Sequence, residues 1–362
     1  VDLTLAHSSP ILARVALLSA LLGACQAVAP SAEVVDASLT VRGETRREAG
    51  DVARTLKRLQ PELEALVPGV ALGDLEVWIQ DQPHVYSFPS DMDYDAEGLY
   101  APDLKRILLA RGSRDMKRVL AHELTHAALQ SPWNRLPGTL EEGLCDSASA
   151  CLAPGGAQRL RAGRLSGAAF ACGGIELRLR ITPKVSGAQT FETQVLLSKP
   201  AIDRAAAQSV FTVSAGLSSS KLDTESKRAF YGLSFLVVDR VVQRGGFDAL
   251  YRLCQRAEAE GLEEVPAPWI LDAAQLESTE DSWRAAALQA FGNQDLVGLI
   301  GMYPDKLAER LAEHILSLDF DLEQGRWWDT LSVECSLVQG TASTKLNDLW
   351  PMRVAVSQAL RR

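Results

Sequence analysis

The chain has 362 residues, of which 47% are hydrophobic, and a formal net charge of −9 at pH 7. That length and apolar share allow a large buried core and two or three domains. The charge is spread without a basic stripe, which argues against nucleic acid as a partner, and beyond the first residues no apolar stretch is long enough to span a bilayer.

The first segment reads as an export signal. Arg14 precedes an apolar run from Val15 to Ala24, followed by Cys25 and a segment rich in Pro, Ser and Ala. "LGAC" at 22–25 resembles the bacterial lipobox, whose Cys receives lipid and becomes the mature first residue. An ordinary cleavage site after Ala27-Val28-Ala29 is disfavoured by Pro30, and a buried helix of the fold is the remaining alternative. The expectation is a signal peptide over 1–25, lipidation at Cys25, membrane attachment in the bacterial cell envelope, and a flexible linker over 26–44.

Residues 45–67 carry apolar positions at helical spacing around Pro61, which predicts a helix with a kink or break. "LEVWIQ" at 75–80 and "RILLA" at 106–110 read as strands. Between them "SDMDYDAEGLYAPD" groups Asp91, Asp93, Asp95 and Glu97. The glycine is misplaced for an EF-hand and no distal Glu completes one, so a solvated loop is expected rather than a calcium site.

"VLAHELTHAALQ" at 119–130 places two of the chain's five histidines four residues apart. On a helix, positions i and i+4 share a face, so His122 and His126 converge on one spot, as half of a zinc site would require. Glu123 is turned about 100° from His122, suited to reach a water beside a metal rather than to be a third ligand. Histidines that merely pack and hydrogen-bond are the bland alternative. The next histidine is His314, so a third ligand is sought among carboxylates. Glu141 and Glu142 open a helical pattern after Pro137-Gly138, and Asp146 follows Glu142 by four residues, on the same face. Glu142 would then bind metal while Asp146 holds a ring N–H of a histidine.

"HELTH" followed by "LPGTLEEGLCD" resembles the gluzincin metallopeptidases, the clan of thermolysin and the aminopeptidase N group. Their pattern is H-E-x-x-H, then a second helix with a Glu ligand, often in a "W-L-x-E-G-x-A" setting with an acidic residue nearby. The resemblance implies zinc held by His122, His126 and Glu142, with Glu123 as general base and Asp146 as the acid behind the ligands. Thr139 stands where Trp is common and Cys145 where Ala is common; neither change touches the metal. The likeness is strong over 119–146, weaker over 97–260 and absent elsewhere. It also implies that the strand before the active helix, "RILLA", is a sheet edge to which peptide substrates add by main-chain hydrogen bonds. In the aminopeptidase-like members a Tyr in a setting like "Y-x-x-G" steadies the oxyanion. "FYGLSFLVVDRVV" at 230–242 offers Tyr231, with Ser234 replacing the Gly; Tyr231 can equally be a core aromatic, with Tyr100 and His84 as weaker candidates.

Residues 153–174 are rich in Gly and Ala. "IELRLRI" and "TFETQVLLS" alternate as a hairpin exposed on one side, within an insertion at about 153–222 near the cleft. Residues 224–260 read as two helices broken at Gly245-Gly246, and the last sixty or so, with Trp327, Trp328 and Trp350, as apolar scaffold. Leaving Cys25 aside, an odd number of cysteines remains. Cys145 and Cys151 lie roughly 9 Å apart along one helix, too far to bond. Cys172 with Cys151 and Cys254 with Cys335 are possible bridges, and buried thiols are the alternative.

The sum is an α+β, zincin-like peptidase domain over 45–300, with a small mixed sheet, an active-site helix and a mainly helical second lobe, and an extension of unknown role over 301–362. Its expected reaction is zinc-dependent hydrolysis of peptide or protein substrates. The rival from another class is a non-catalytic envelope lipoprotein using a zincin fold as a binding module, against which Glu123 argues, since a structural metal needs no base. A zinc hydrolase of non-peptide amides or esters stays open.

Overall fold

The computed structural model describes residues 31–81, 97–113, 115–172, 175–196, 210–211, 224–292, 296–297, 300, 304–318, 327–338, 340 and 342–362. Cys25 with its lipobox, His84, and Asp91, Asp93 and Asp95 lie outside the described residues. The described elements make an α+β fold with one mixed sheet and one antiparallel sheet.

One of two units comprises residues 31–61 and Leu72–Ala128. It opens with β1 (Ala32–Asp36) and β2 (Leu39–Gly43), paired antiparallel across a turn at Ala37, whose φ is 52°. Within the flexible linker expected over 26–44, residues 32–43 are thus a strand pair, and residues 26–30 lie outside the described residues. The β-branched Val34, Val35, Thr40 and Val41 favour extended backbone, and β2 gains a second partner in β3 (Leu75–Gln80), parallel to it. A parallel pair needs a crossover, here α1 (Arg46–Leu66), which runs through Pro61 without breaking and buries a stripe of Ala49, Val52, Leu56, Leu59 and Leu63. Each buried Leu of that stripe contributes roughly 1.5–3 kcal/mol.

β4 (Gly98–Ala101) and β5 (Arg106–Ala110) complete a sheet of order β1-β2-β3-β5-β4. Both strands read from sequence, β3 and β5, fall at the expected residues. The expected position of β5 is corrected: it lies inside the sheet, parallel to β3, and β4 folds back antiparallel on it to take the edge. Only four residues join β4 to β5, with Lys105 left-handed at φ 48°, so the return is a tight reversal, and among the described residues β4 is the outermost strand. α2 (Met116–Ala128) packs on β4 and β5 through a face that includes Val119, Leu120 and Leu124.

The other unit comprises Glu62–Ala71 and Leu129–Arg362. Its centre is a mutual packing of α3 (Leu140–Leu152), α4 (Pro154–Ala171) and α5 (Thr224–Ala259). The break expected in α5 is present: Gly246 adopts φ 67° and ψ −176°, which only glycine takes without strain. α4 and α5 touch backbone to backbone, since a Cβ on Gly232 would stand 2.3 Å from the Ala168 nitrogen. α6 (Ala267–Ala274) packs on α5, and α7 (Glu280–Phe291) on α4.

The alternating hairpin is present as β6 (Glu176–Pro183) and β7 (Phe191–Leu196), with Leu177, Leu179 and Ile181 buried and Arg178 and Arg180 exposed. After α8 (Pro304–Ser317), β8 (Leu331–Leu337) and β9 (Ser343–Lys345) join the hairpin in an antiparallel sheet of order β7-β6-β8-β9, and α9 (Trp350–Ala359) packs on α8. Trp327 and Trp328 are buried, as expected. Trp350 is not: the residue is 68% exposed, at the first position of α9, with the Arg353 guanidinium 5.5 Å from its ring centroid. Among the described residues no helix is long and apolar enough to cross a membrane.

Candidate metal centre

The stretch "HELTH" is helical throughout, within α2. His122 and His126 stand one turn apart, half-buried, with ring centroids 4.9 Å apart and planes at 68°, an edge-on arrangement. Their Nε2 atoms are 3.2 Å apart. Two donors bound to one tetrahedral ion at about 2.0–2.1 Å each would be about 3.3 Å apart, so this spacing suits a shared metal. It also suits one protonated nitrogen donating to one bare nitrogen. The pair alone does not discriminate; a third donor does.

Glu123 is buried, at 7% exposure, on the adjacent face. β4 runs close past it. A Cβ on Gly98 would lie 2.5 Å from Val119 Cγ1, 3.0 Å from Glu123 Cγ and 3.1 Å from Glu123 Oε1, so the missing side chain is what lets the strand approach the carboxylate. Arg118 ties the same edge to α2 by pairing with Glu97 at 3.0 Å.

α3 begins after the Pro137-Gly138 turn, where Gly138 takes φ 58° and the sequence predicts a helix start. Of its two leading carboxylates, Glu141 is exposed and Glu142 half-buried. One donor atom from each of His122, His126 and Glu142 lies within 4.8 Å of the other two. Among the described residues this is the group of His, Cys, Asp and Glu side chains able to hold a metal ion, and it is the set expected from sequence. The chain matches no family model, no curated protein and no solved structure. What the site can do therefore rests on its chemistry. Two imidazoles and a carboxylate are a donor set that could hold a divalent transition ion, zinc among others, with coordination positions left over.

Asp146 is fully buried on α3. Arg164 of α4 grips it with two hydrogen bonds, Nε to Oδ2 at 2.5 Å and Nη2 to Oδ1 at 3.4 Å. The sequence suggested a histidine ring N–H as the partner of Asp146; these two hydrogen bonds come from Arg164, which the sequence did not single out. Nothing in "QRLRAGRLSG" singles out one arginine among three, because what selects it is the packing of α4 on α3. The Arg164 guanidinium also lies 4.8 Å from the centroid of the Tyr231 ring, on α5. Burial opposes its charge, but Asp146, Tyr231 and Glu142 together hold its pKa above the ordinary arginine value. Arg164 therefore gathers the expected acid, the expected carboxylate ligand and the expected oxyanion donor around one cation. Tyr100, the weaker candidate, sits half-buried on the edge strand β4.

The two disulfides considered from sequence are not formed. Cys145, Cys151, Cys172, Cys254 and Cys335 are all free thiols, every one buried except Cys151. The four buried ones pack as small apolar side chains, and burial pushes Cys172, Cys254 and Cys335 each up to about 12.

Proposed function

We propose that this protein is a zinc-dependent peptidase with a zincin-like fold of the gluzincin type. The observation that carries the reading is the meeting of His122, His126 and Glu142 donor atoms within 4.8 Å, beside a buried Glu123 on the same helix. Zinc held there would supply Lewis acidity, polarising a substrate carbonyl and making a water acidic near neutral pH.

The remaining work falls to the chain's own side chains. Glu123 accepts the proton of the attacking water and returns it to the leaving amine, a transfer for which a carboxylate shielded from bulk solvent is suited. Tyr231 donates its phenolic hydrogen to the oxygen on which negative charge grows. The expected substrate edge is moved from β5 to β4. β4 is hydrogen-bonded to β5 on one side, is half-buried throughout, and passes Glu123 at Gly98, so an extended peptide added to its outer side lies along the base.

The test is metal content and cleavage together. Purified protein is expected to hold about one zinc per chain, and to lose most of it on His126→Ala or Glu142→Ala. Glu123→Gln should keep the zinc and cleave a peptide library at least about 100-fold more slowly. Unchanged metal in both alanine variants, or wild-type cleavage by Glu123→Gln, would sink the proposal. The lipobox reading of Cys25 completes it: Cys25→Ser should release an exported, membrane-attached protein into the soluble fraction, and continued attachment without an acyl chain on Cys25 refutes that part.

A further inference from the structure

The helix that carries Glu142 starts irregularly. In an ordinary first turn the Gly143 N–H would donate to the Thr139 carbonyl, four residues back. Here the Ser234 hydroxyl, from α5, stands between them. It donates to the Thr139 carbonyl at 2.5 Å and accepts from the Gly143 N–H at 3.2 Å. The Thr139 carbonyl also receives the Glu142 N–H at 3.0 Å, the tighter three-residue spacing. Ser234 is completely buried, and a Cβ on Gly143 would lie 2.5 Å from the Ser234 carbonyl oxygen, so α5 closes on this turn at the residue next to Glu142.

We infer that Ser234 is a positioning residue for Glu142. Its hydroxyl, inserted into the first turn of α3, sets the backbone from which that carboxylate is presented; the inference rests on the metal-site reading above. Folding alone does not require the insertion. Without the hydroxyl, the Thr139 carbonyl and the Gly143 N–H are left facing each other and can close the ordinary helical bond, so neither need stay unsatisfied. What changes is the pitch of the turn and the direction in which Glu142 leaves it. Tyr231 lies three residues before Ser234, one turn away on α5, so a single helix fixes both the carboxylate ligand and the proposed oxyanion donor.

The experiment compares full-length wild type, Ser234→Ala and Ser234→Thr. Each is stripped of metal, melted, titrated with zinc against a chromophoric chelator, and loaded with Co2+ for its visible spectrum. Ser234→Ala is expected to melt within a few degrees of wild type, to bind zinc about 10-fold or more weakly, and to shift the Co2+ bands. Ser234→Thr keeps the hydroxyl and should keep wild-type affinity. Wild-type affinity and spectrum in Ser234→Ala overturn the assignment while leaving the metal site standing. An unfolded Ser234→Ala, or a Ser234→Thr as weak as the alanine variant, also overturns it by showing that packing is the role. Wild-type protein that takes up no zinc overturns the metal reading and this assignment together.

Discussion

Asp146 is a carboxylate without access to solvent, and Arg164 is the cation that makes its burial tolerable. Removing one member of a buried ion pair costs about 3–5 kcal/mol when burial is complete, and toward the lower end here because Arg164 is partly exposed. Arg164→Gln should therefore lower the urea midpoint strongly, and Arg164→Gln with Asp146→Asn should recover part of the loss. A double variant no more stable than the single would mean that the charge on Asp146 is not the problem. Tyr231→Phe is the milder probe, since the ring that faces Arg164 is kept and only the hydroxyl goes. Zinc and fold should be unchanged while kcat falls about 100-fold with little change in KM, the pattern of an interaction made in the transition state. The buried thiols give a pH prediction. Cys172, Cys254 and Cys335 sit at about 12, above the ordinary thiol value of 9.0, so the folded chain holds their protons more tightly than the unfolded one. Their contribution to stability is complete below pH 9 and is lost as pH rises toward 12. Thermal melts should fall across that window, and a flat profile would contradict it.

Among the elements, β4 tests the substrate edge. Gly98→Val places side-chain carbon where Val119 and Glu123 already stand, at 2.5 and 3.0 Å from the new Cβ, so strand or carboxylate must move. The overpacking should cost about 1–3 kcal/mol, with zinc retained and kcat/KM reduced at least about 10-fold; unaltered kinetics would remove β4 from the site. β4 also shows where the sequence stops being legible. β3 and the β6–β7 hairpin were readable because alternation over six to eight residues is a local signal, β5 because a short continuous apolar run is one too, and the Gly246 break because glycine punctuates a helix. His122 and His126 were readable as a pair because helical spacing puts both on one face, whereas Glu142, on another helix, was singled out among carboxylates by the resemblance. That β5 lies inside the sheet and β4 at its edge is decided by partners far along the chain, which no local pattern encodes. β1 and β2 are so short that their flanking polar residues made them look like linker. Ser234 looked like a mismatch at a position where a small residue was expected, and its contact with α3 depends on backbones 91 residues apart in sequence.

At the scale of the whole chain, the longest-range decision is the sheet that joins the β6–β7 hairpin to the C-terminal residues. β8 pairs with β6 in register from Leu177↔Leu337 to Pro183↔Leu331, and Leu331, Val333, Cys335 and Leu337 are buried. Asn347 then locks the return: its side-chain oxygen accepts from Val333 N–H at 2.6 Å, and its amide donates to the Leu331 carbonyl at 2.8 Å. With Trp327, Trp328, Leu346, Met352 and Val356 also buried, residues 327–362 carry a hydrophobic contribution on the order of 10 kcal/mol or more. That is comparable to the net stability of a whole domain, about 5–15 kcal/mol. Removing them would also strip β6 of one hydrogen-bonded neighbour and leave it an open edge, a template for aggregation. A chain ending at residue 318 should therefore be insoluble or melt without a cooperative transition, even though it keeps every proposed ligand. Soluble truncated protein with wild-type zinc uptake and an intact melt would show instead that these residues are a dispensable extension.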